Sequence, residues 1–257
     1  MFFAPTLLAL TQVLQSQIHK LQESRAEADI RRPVDVYTLC LSSGDADGLG
    51  NTRKHELEDS LDVMGVEQGK RWVLDEPFKD NITMFWDAGL IAEHVRPYVL
   101  EHNIDIILTY DKYGISSHPN HISLTRGVQA LLTNSPRNNL RAFGLKTTSL
   151  IPKYTGAGAA LIAKLEHAFC ASPPFHVHPH AQLIQILEVL LSALRALRIT
   201  DCSATDAEKL VFVSGWAEYS RALLAMRQHS SQLVWFRWLY VTFSRYMWVN
   251  SWDEIVV

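Results

Sequence analysis

The sequence predicts an α/β fold: a Rossmann-like parallel sheet with helices on both faces, followed by a helical C-terminal portion. Three observations predict it. Short apolar runs rich in β-formers alternate with helical patterns as far as about Pro152, the alternation expected of parallel strands joined by crossover helices. Beyond Pro152 the pattern changes to long helical stretches. The chain has 257 residues, 47% hydrophobic and 20% charged, which is enough apolar material for one large core and excludes a disordered chain.

The elements follow in order. Leu7, Leu10, Leu14, Ile18 and Leu21 recur on one helical face, so the chain opens in an amphipathic helix. Val34 to Leu41 reads as a strand, and the loop Ser42 to Gly48 follows it. Thr52 caps a helix that runs through Met64, with Gly65 past its end. Trp72 to Leu74 is a brief strand. Asp87 starts a helix to about Glu101, kinked or ended near Pro97. Ile104 to Tyr110 is a buried strand, Pro119 to Leu132 a helix, and Ala142 to Ser149 a further strand. This half opens on a helix and lacks the strand from which such a helix crosses over. The whole chain, 1–257, reads as one domain.

Composition excludes several classes of function. A net charge of -3 leaves no basic excess for a nucleic-acid backbone. Cys40, Cys170 and Cys202 are three and widely spaced, which argues against a disulfide framework or a cysteine zinc site. No apolar run reaches the length of a membrane span; the longest, Leu183 to Ile199, is interrupted by Glu188, Arg195 and Arg198. The apolar start, Met1 to Leu10, lacks the basic n-region of a signal peptide.

The sharpest local feature is His118-Pro119-Asn120-His121, directly after the strand ending at Tyr110. In open α/β sheets ligands bind beyond the carboxyl ends of the strands. Pro119 suits the first helical position, which puts His118 at the cap and His121 in the first turn. That spacing aims both imidazoles at one point, one as a metal ligand and one as a donor to an oxyanion. Two histidines do not hold a metal alone, so another segment must contribute. The same spacing also fits a capping histidine beside a surface one.

Other patterns carry less. Asp45, Asp47, Gly50 and Glu56 fall at the first, third, sixth and twelfth positions of an EF-hand loop, but Leu49 stands where an oxygen ligand belongs and a strand precedes the loop. The pattern is a coincidence. Arg53 and Glu56 lie at a helix start near the presumed pocket, where an arginine suits sugar hydroxyls or a phosphate. On spacing alone they read as a surface i,i+3 ion pair. His176, His178 and His180 alternate in a His/Pro loop. Trp235, Phe236, Trp238, Tyr240, Phe243, Trp248 and Trp252 crowd the C-terminal segment, which fits a lipid interface or a buried core helix equally.

Several stretches together resemble the PIG-L/LmbE family of metal-dependent de-N-acetylases. Met1-Phe2-Phe3-Ala4-Pro5-Thr6 resembles the residues directly after that family's His-Pro-Asp-Asp-Glu motif. Gly50 to Leu57 resembles its Arg/Glu helix start. Phe78-Lys79-Asp80 with Met84-Phe85-Trp86-Asp87 resembles its central loop. Thr109-Tyr110-Asp111, Gly114 and His118 to His121 resemble its metal loop. His229 to Arg237 and Phe243 to Met247 resemble the C-terminus of the eukaryotic members that serve GPI-anchor synthesis.

The resemblance implies an LmbE-like fold and a hydrolase that uses zinc or another divalent metal. It implies His121 as a metal ligand and His118 as the group that steadies the oxyanion or protonates the leaving amine. Arg53 and Asp80 match sugar-contacting positions. The implied substrate is the glycolipid N-acetylglucosaminyl-phosphatidylinositol, with a membrane surface as partner, no nucleic acid, and the cytoplasmic face of the endoplasmic reticulum membrane as location. The His-Pro-Asp-Asp-Glu motif, with two metal ligands and the general base, is not in this sequence. Two expectations follow: that upstream codons encode a central strand ending in that motif, and that the chain as written is neither stable nor active. The alternative is a non-catalytic member of the family. Residues 161–205 depart from the family pattern and read as an insertion.

Overall fold

A computed structural model of the chain describes residues 2–23, 34–134, 139–171 and 210–257. The elements in order are α1 (Ala4–Glu23), β1 (Thr38–Cys40), α2 (Gly50–Met64), β2 (Arg71–Val73), α3 (Ala88–Glu101), β3 (Ile106–Tyr110), a single turn α4 (Gly114–Ser117) and α5 (Pro119–Thr133). After these come β4 (Arg141–Leu145), a short α6 (Leu150–Lys153), α7 (Gly158–Ala171), β5 (Leu210–Val213), α8 (Trp216–Gln228), α9 (Trp235–Phe243) and β6 (Val249–Glu254). The His176–His180 run, the apolar stretch 183–199 and residues 172–205 of the expected insertion lie outside the described residues.

The α/β alternation is as expected. β1 and β2 pair in parallel, and β3 and β4 pair in parallel with Leu108 opposite Phe143 and Tyr110 opposite Leu145. Among the described residues no ladder joins β1 to β3, so these strands form a two-stranded and a four-stranded sheet, the latter ordered β3-β4-β6-β5.

Strand β3 shows how its two faces are packed. Its side chains alternate. Ile107 packs with Ala92, Val99 and Leu131 from α3 and α5, while Leu108 and Tyr110 turn to Phe143, Leu145, Tyr246 and Trp252. Helices α3 and α5 approach closely because Gly127 has no side chain: a Cβ there would fall 2.2 Å from Ile91.

Three details depart from the sequence reading. Helix α2 starts at Gly50, not after a Thr52 cap; Asp45 instead accepts the Gly50 N–H. Helix α3 does not end near Pro97 but continues to Glu101, with Asp87 capping it through Leu90 N–H at 2.8 Å. In α1 the buried stripe is Ala4, Leu8, Thr11 and Leu14, whereas Ile18 is exposed.

The C-terminal portion is helical but adds two strands that the pattern did not reveal. β6 pairs antiparallel with both β4 and β5. Its disguise is the fully buried Asn250. Asn250 Oδ1 accepts from Thr6 Oγ1 at 2.8 Å and from Thr6 N at 3.2 Å, and Asn250 Nδ2 donates to Phe2 O at 2.8 Å. Trp252, 2% exposed, donates from Nε1 to Thr6 Oγ1 at 2.9 Å. Paired in this way, polar groups can be buried without the cost of a lost hydrogen bond, and α1 is stitched to the sheet.

Candidate active site

Strand β3 ends at Tyr110, and the loop that follows carries the histidines. His118 sits at the N-cap of α5 with Pro119 in its first turn, as the sequence predicts. His118 Nδ1 accepts the N–H of Asn120 at 3.3 Å, so the ring proton lies on Nε2, which is left as a donor. His121 is the converse: its Nδ1–H donates to Gly114 O at 3.1 Å, leaving the Nε2 lone pair free. The two rings are 5.2 Å apart, centre to centre. Burial pushes the His121 pKa down, and the neighbouring His118 adds to this. His121 is therefore a neutral imidazole at neutral pH.

The surroundings hold His121 in place. Tyr110 stacks on its ring at 4.1 Å with an interplanar angle of 11°, and Phe2 meets it edge-on at 6.2 Å. Gly114 must be glycine: its φ is 62°, and a Cβ would fall 2.9 Å from the His121 Cβ. Ile115 and Ser117 also have positive φ, at 64° and 59°, an unfavourable conformation for residues with side chains. Asp111 tethers this strained turn. Its Oδ1 accepts from Tyr113 N and Gly114 N, each at 3.0 Å, and from Thr147 Oγ1 at 2.6 Å; its Oδ2 accepts from Thr147 N at 2.6 Å. Thr147 Oγ1 lies 2.9 Å from Ile115 N, which donates to it, and Lys153 Nζ donates to Ile115 O at 2.9 Å.

Asp80 and Arg53 come to the same place. Asp80 Oδ1 accepts from Asn120 Nδ2, between the two histidines, at 3.0 Å. Arg53 donates from Nη1 to Gly44 O and from Nη2 to Asp47 Oδ2, the latter at 2.7 Å. A Cβ on Gly44 would lie 3.3 Å from Arg53 Nη1 and 3.8 Å from Asp80 Oδ2, so both side chains flank Gly44. Two buried polar atoms here have no partner: the donor Arg53 Nε and the acceptor Asn120 Oδ1. Buried groups of that kind call for an explanation, and a ligand is one.

All four residues singled out from the sequence thus share one neighbourhood. The expected ion pair between Arg53 and Glu56 does not form. Glu56 is buried and accepts from Ser230 Oγ at 3.0 Å, Ser231 N at 2.6 Å and Ser231 Oγ at 2.7 Å. Those bonds take it out of any calcium loop with Asp45 and Asp47, so the EF-hand pattern is a coincidence here too. The sequence reading placed Asp111 in the metal loop and His229 in a C-terminal motif but gave neither a role, and it passed over Thr147 and Lys153. Only Asp111 left a signal, an aspartate three residues before a glycine, the usual mark of a side-chain-bonded turn.

The fit to a divalent metal is partial. His121 suits a ligand: it is neutral, its Nε2 is free, and its other nitrogen is fixed by a carbonyl. Among the described residues no three His, Cys, Asp or Glu side chains converge, so these residues do not complete a ligand set.

Fold and site define an α/β protein with a histidine-pair site beyond the carboxyl end of a parallel strand. Comparison with known proteins narrows the class. A family model described as PIG-L, GlcNAc-PI de-N-acetylase, matches residues 24–132. The N-acetylglucosaminyl-phosphatidylinositol de-N-acetylase of Arthroderma benhamiae is 33% identical over 98% of this chain and 82% of its own length. The Bos taurus protein of the same name is 29% identical over 98% of this chain and 77% of its own. A shorter match, 35% identical over 30% of the chain and 29% of the relative, is to the 1D-myo-inositol 2-acetamido-2-deoxy-alpha-D-glucopyranoside deacetylase 1 of Frankia casuarinae. The chain belongs to the PIG-L family of de-N-acetylases.

Proposed function

We propose that this chain takes part in hydrolysing the acetamide of N-acetylglucosaminyl-phosphatidylinositol, releasing acetate and leaving the free amine of the glucosaminyl lipid, a step of GPI-anchor biosynthesis. The observation that carries the reading is the opposite protonation of the two histidines. His118 offers an N–H, and His121 offers a lone pair. Metal-assisted acetamide hydrolysis uses both a donor for the carbonyl oxygen and a ligand for the electrophile.

In this reading His118 Nε2–H donates a hydrogen bond to the acetamide oxygen as negative charge builds on it, and the proton that the departing amine takes up comes from the attacking water, whose hydroxyl ends in the acetate. Asp80 and Arg53 hold the sugar, and the unpartnered Arg53 Nε and Asn120 Oδ1 are a donor and an acceptor that sugar hydroxyls would satisfy. His121 would be one ligand of a zinc or similar divalent ion, which would supply Lewis acidity there. The family resemblance gives the remaining ligands and the base to a His-Pro-Asp-Asp-Glu motif, which is not in this sequence. The lipid substrate puts the enzyme at a membrane surface, and we assign it to the cytoplasmic face of the endoplasmic reticulum. Among the described residues no helix is long and apolar enough to cross a membrane. The test is acetate release from N-acetylglucosaminyl-phosphatidylinositol by the protein and its His118→Ala and His121→Ala variants. Full turnover by both variants would refute the assignment.

A further inference from the structure

We propose that α9, together with the adjoining turn α6, is the face that rests in the headgroup region of an anionic bilayer beside the active site. The proposal deepens the glycolipid reading above and can be tested apart from it.

The face is apolar and turned to solvent. In α9, Trp235 is 77% exposed and Leu239 55%, with Phe236, Trp238 and Phe243 also exposed, while Val241 is fully buried and anchors the helix to the core. Leu150 and Ile151 of α6 are 73% and 67% exposed. The two elements adjoin: Tyr154 meets Tyr240 edge-on at 6.2 Å, and Gly156 N donates to Phe243 O at 2.8 Å. Single exposed apolar residues are ordinary, but a contiguous patch marks an interaction surface.

Chemistry selects the occupant. Tryptophan and phenylalanine on one side of a helix suit the boundary between acyl chains and headgroups. Nine residues span only about 13 Å as a helix, so α9 lies on a bilayer and does not cross it. The charge is complementary to an anionic surface. The stretches 141–165 and 229–250, which hold α6 and α9, contain no Asp or Glu, although the chain as a whole carries a net charge of -3. The one ionised side chain in α9 is Arg237, which is exposed. A cation on the same short helix as exposed aromatics, with no carboxylate near it in sequence, adds an electrostatic attraction to anionic lipid.

The face borders the site. Tyr240 at the inner side of α9 lies 5.8 Å from Phe2, which touches His121. Lys153 at the end of α6 holds the strained turn through Ile115 O. A glycolipid could keep its acyl chains in the bilayer under α9 while its sugar reaches His118.

The test uses the full protein and sedimentation with vesicles of phosphatidylcholine, alone or mixed with phosphatidylserine, with tryptophan emission as a second readout. The wild type is expected to bind the mixed vesicles better, with a blue shift. Trp235→Ala/Leu239→Ser is expected to weaken binding roughly tenfold or more, by the loss of two buried apolar side chains. Arg237→Glu is expected to remove the preference for phosphatidylserine. An Ile82→Ser control, at an exposed apolar residue outside α6 and α9, should bind as wild type, and unchanged circular dichroism shows that the variants fold. Wild-type binding by the double variant would overturn the proposal. So would a patch that governs dimerisation in sedimentation velocity and not vesicle binding. The expected vesicle result without acetate release from any substrate would sink the de-N-acetylase reading and leave this one standing.

Discussion

Asp80 Oδ1 accepts a hydrogen bond from Asn120 Nδ2 at 3.0 Å, which ties the loop after β2 to the residue between the two histidines. Forty positions apart in sequence, these two side chains join the sugar-contacting half of the proposed site to the reacting half. The Asp80 carboxylate also favours the protonated form of His121, though burial outweighs it.

Asp80→Ala and Arg53→Ala are therefore expected to lower kcat/KM on the glycolipid while metal content stays at the wild-type level. Each removes a charge-assisted contact worth about 1.5–3 kcal/mol, or roughly 10- to 100-fold. Steady-state kinetics with metal analysis checks this. Wild-type kinetics in both variants would make them surface residues of no catalytic consequence.

Gly114→Ala is expected to destabilise the protein by about 1–3 kcal/mol and to displace His121. The substitution puts a Cβ 2.9 Å from the His121 Cβ at a φ of 62°. Thermal unfolding gives the first effect. Activity falling beyond what a shared fold loss explains, at a temperature where the variant is folded, gives the second. A stable, active alanine variant would show that the turn has another conformation open to it.

Asp111→Ala should cost roughly 2–4 kcal/mol, because four donors on the turn and on Thr147 lose a charged acceptor. The prediction carries a sequence lesson. The helix ends around the site were legible: Pro119 after His118 and Asp87 before α3 are local signals, and both caps form. The tether from Asp111 to Thr147 was not, since it depends on β3 and β4 being neighbours. β6 was hidden for a related reason. Its buried Asn250 reads as a surface residue until Thr6, from the other end of the chain, is seen to satisfy it. The family resemblance supplied roles that spacing left open, above all for Arg53, whose partner along the helix proved to be elsewhere.

His229 gives a pH signature. Burial pushes its pKa down to about 4, against the pull of the Glu56 carboxylate. The unfolded chain takes up this proton near pH 6.5 and the folded chain does not, so stability falls as pH drops from about 6.5 to 4, and the loss is complete below that. Glu56, held below its ordinary value despite its burial by hydrogen bonds from Ser231 and Ser230, contributes stability that is lost as pH falls from the ordinary glutamate range through its lowered pKa. Urea unfolding across pH 7 to 4 should show a slope that flattens in His229→Gln. An unchanged slope in that variant would reassign the titration to another group.

The central claim is that His121 binds the metal and His118 acts on the reacting acetamide. The most direct measurement is metal content together with acetate release for the protein, His118→Ala and His121→Ala, purified side by side. The account predicts that His121→Ala loses metal and activity together, and that His118→Ala keeps its metal while kcat falls about 100-fold or more, as for loss of an oxyanion donor. Equal metal loss in both variants, or full metal in His121→Ala, would contradict it.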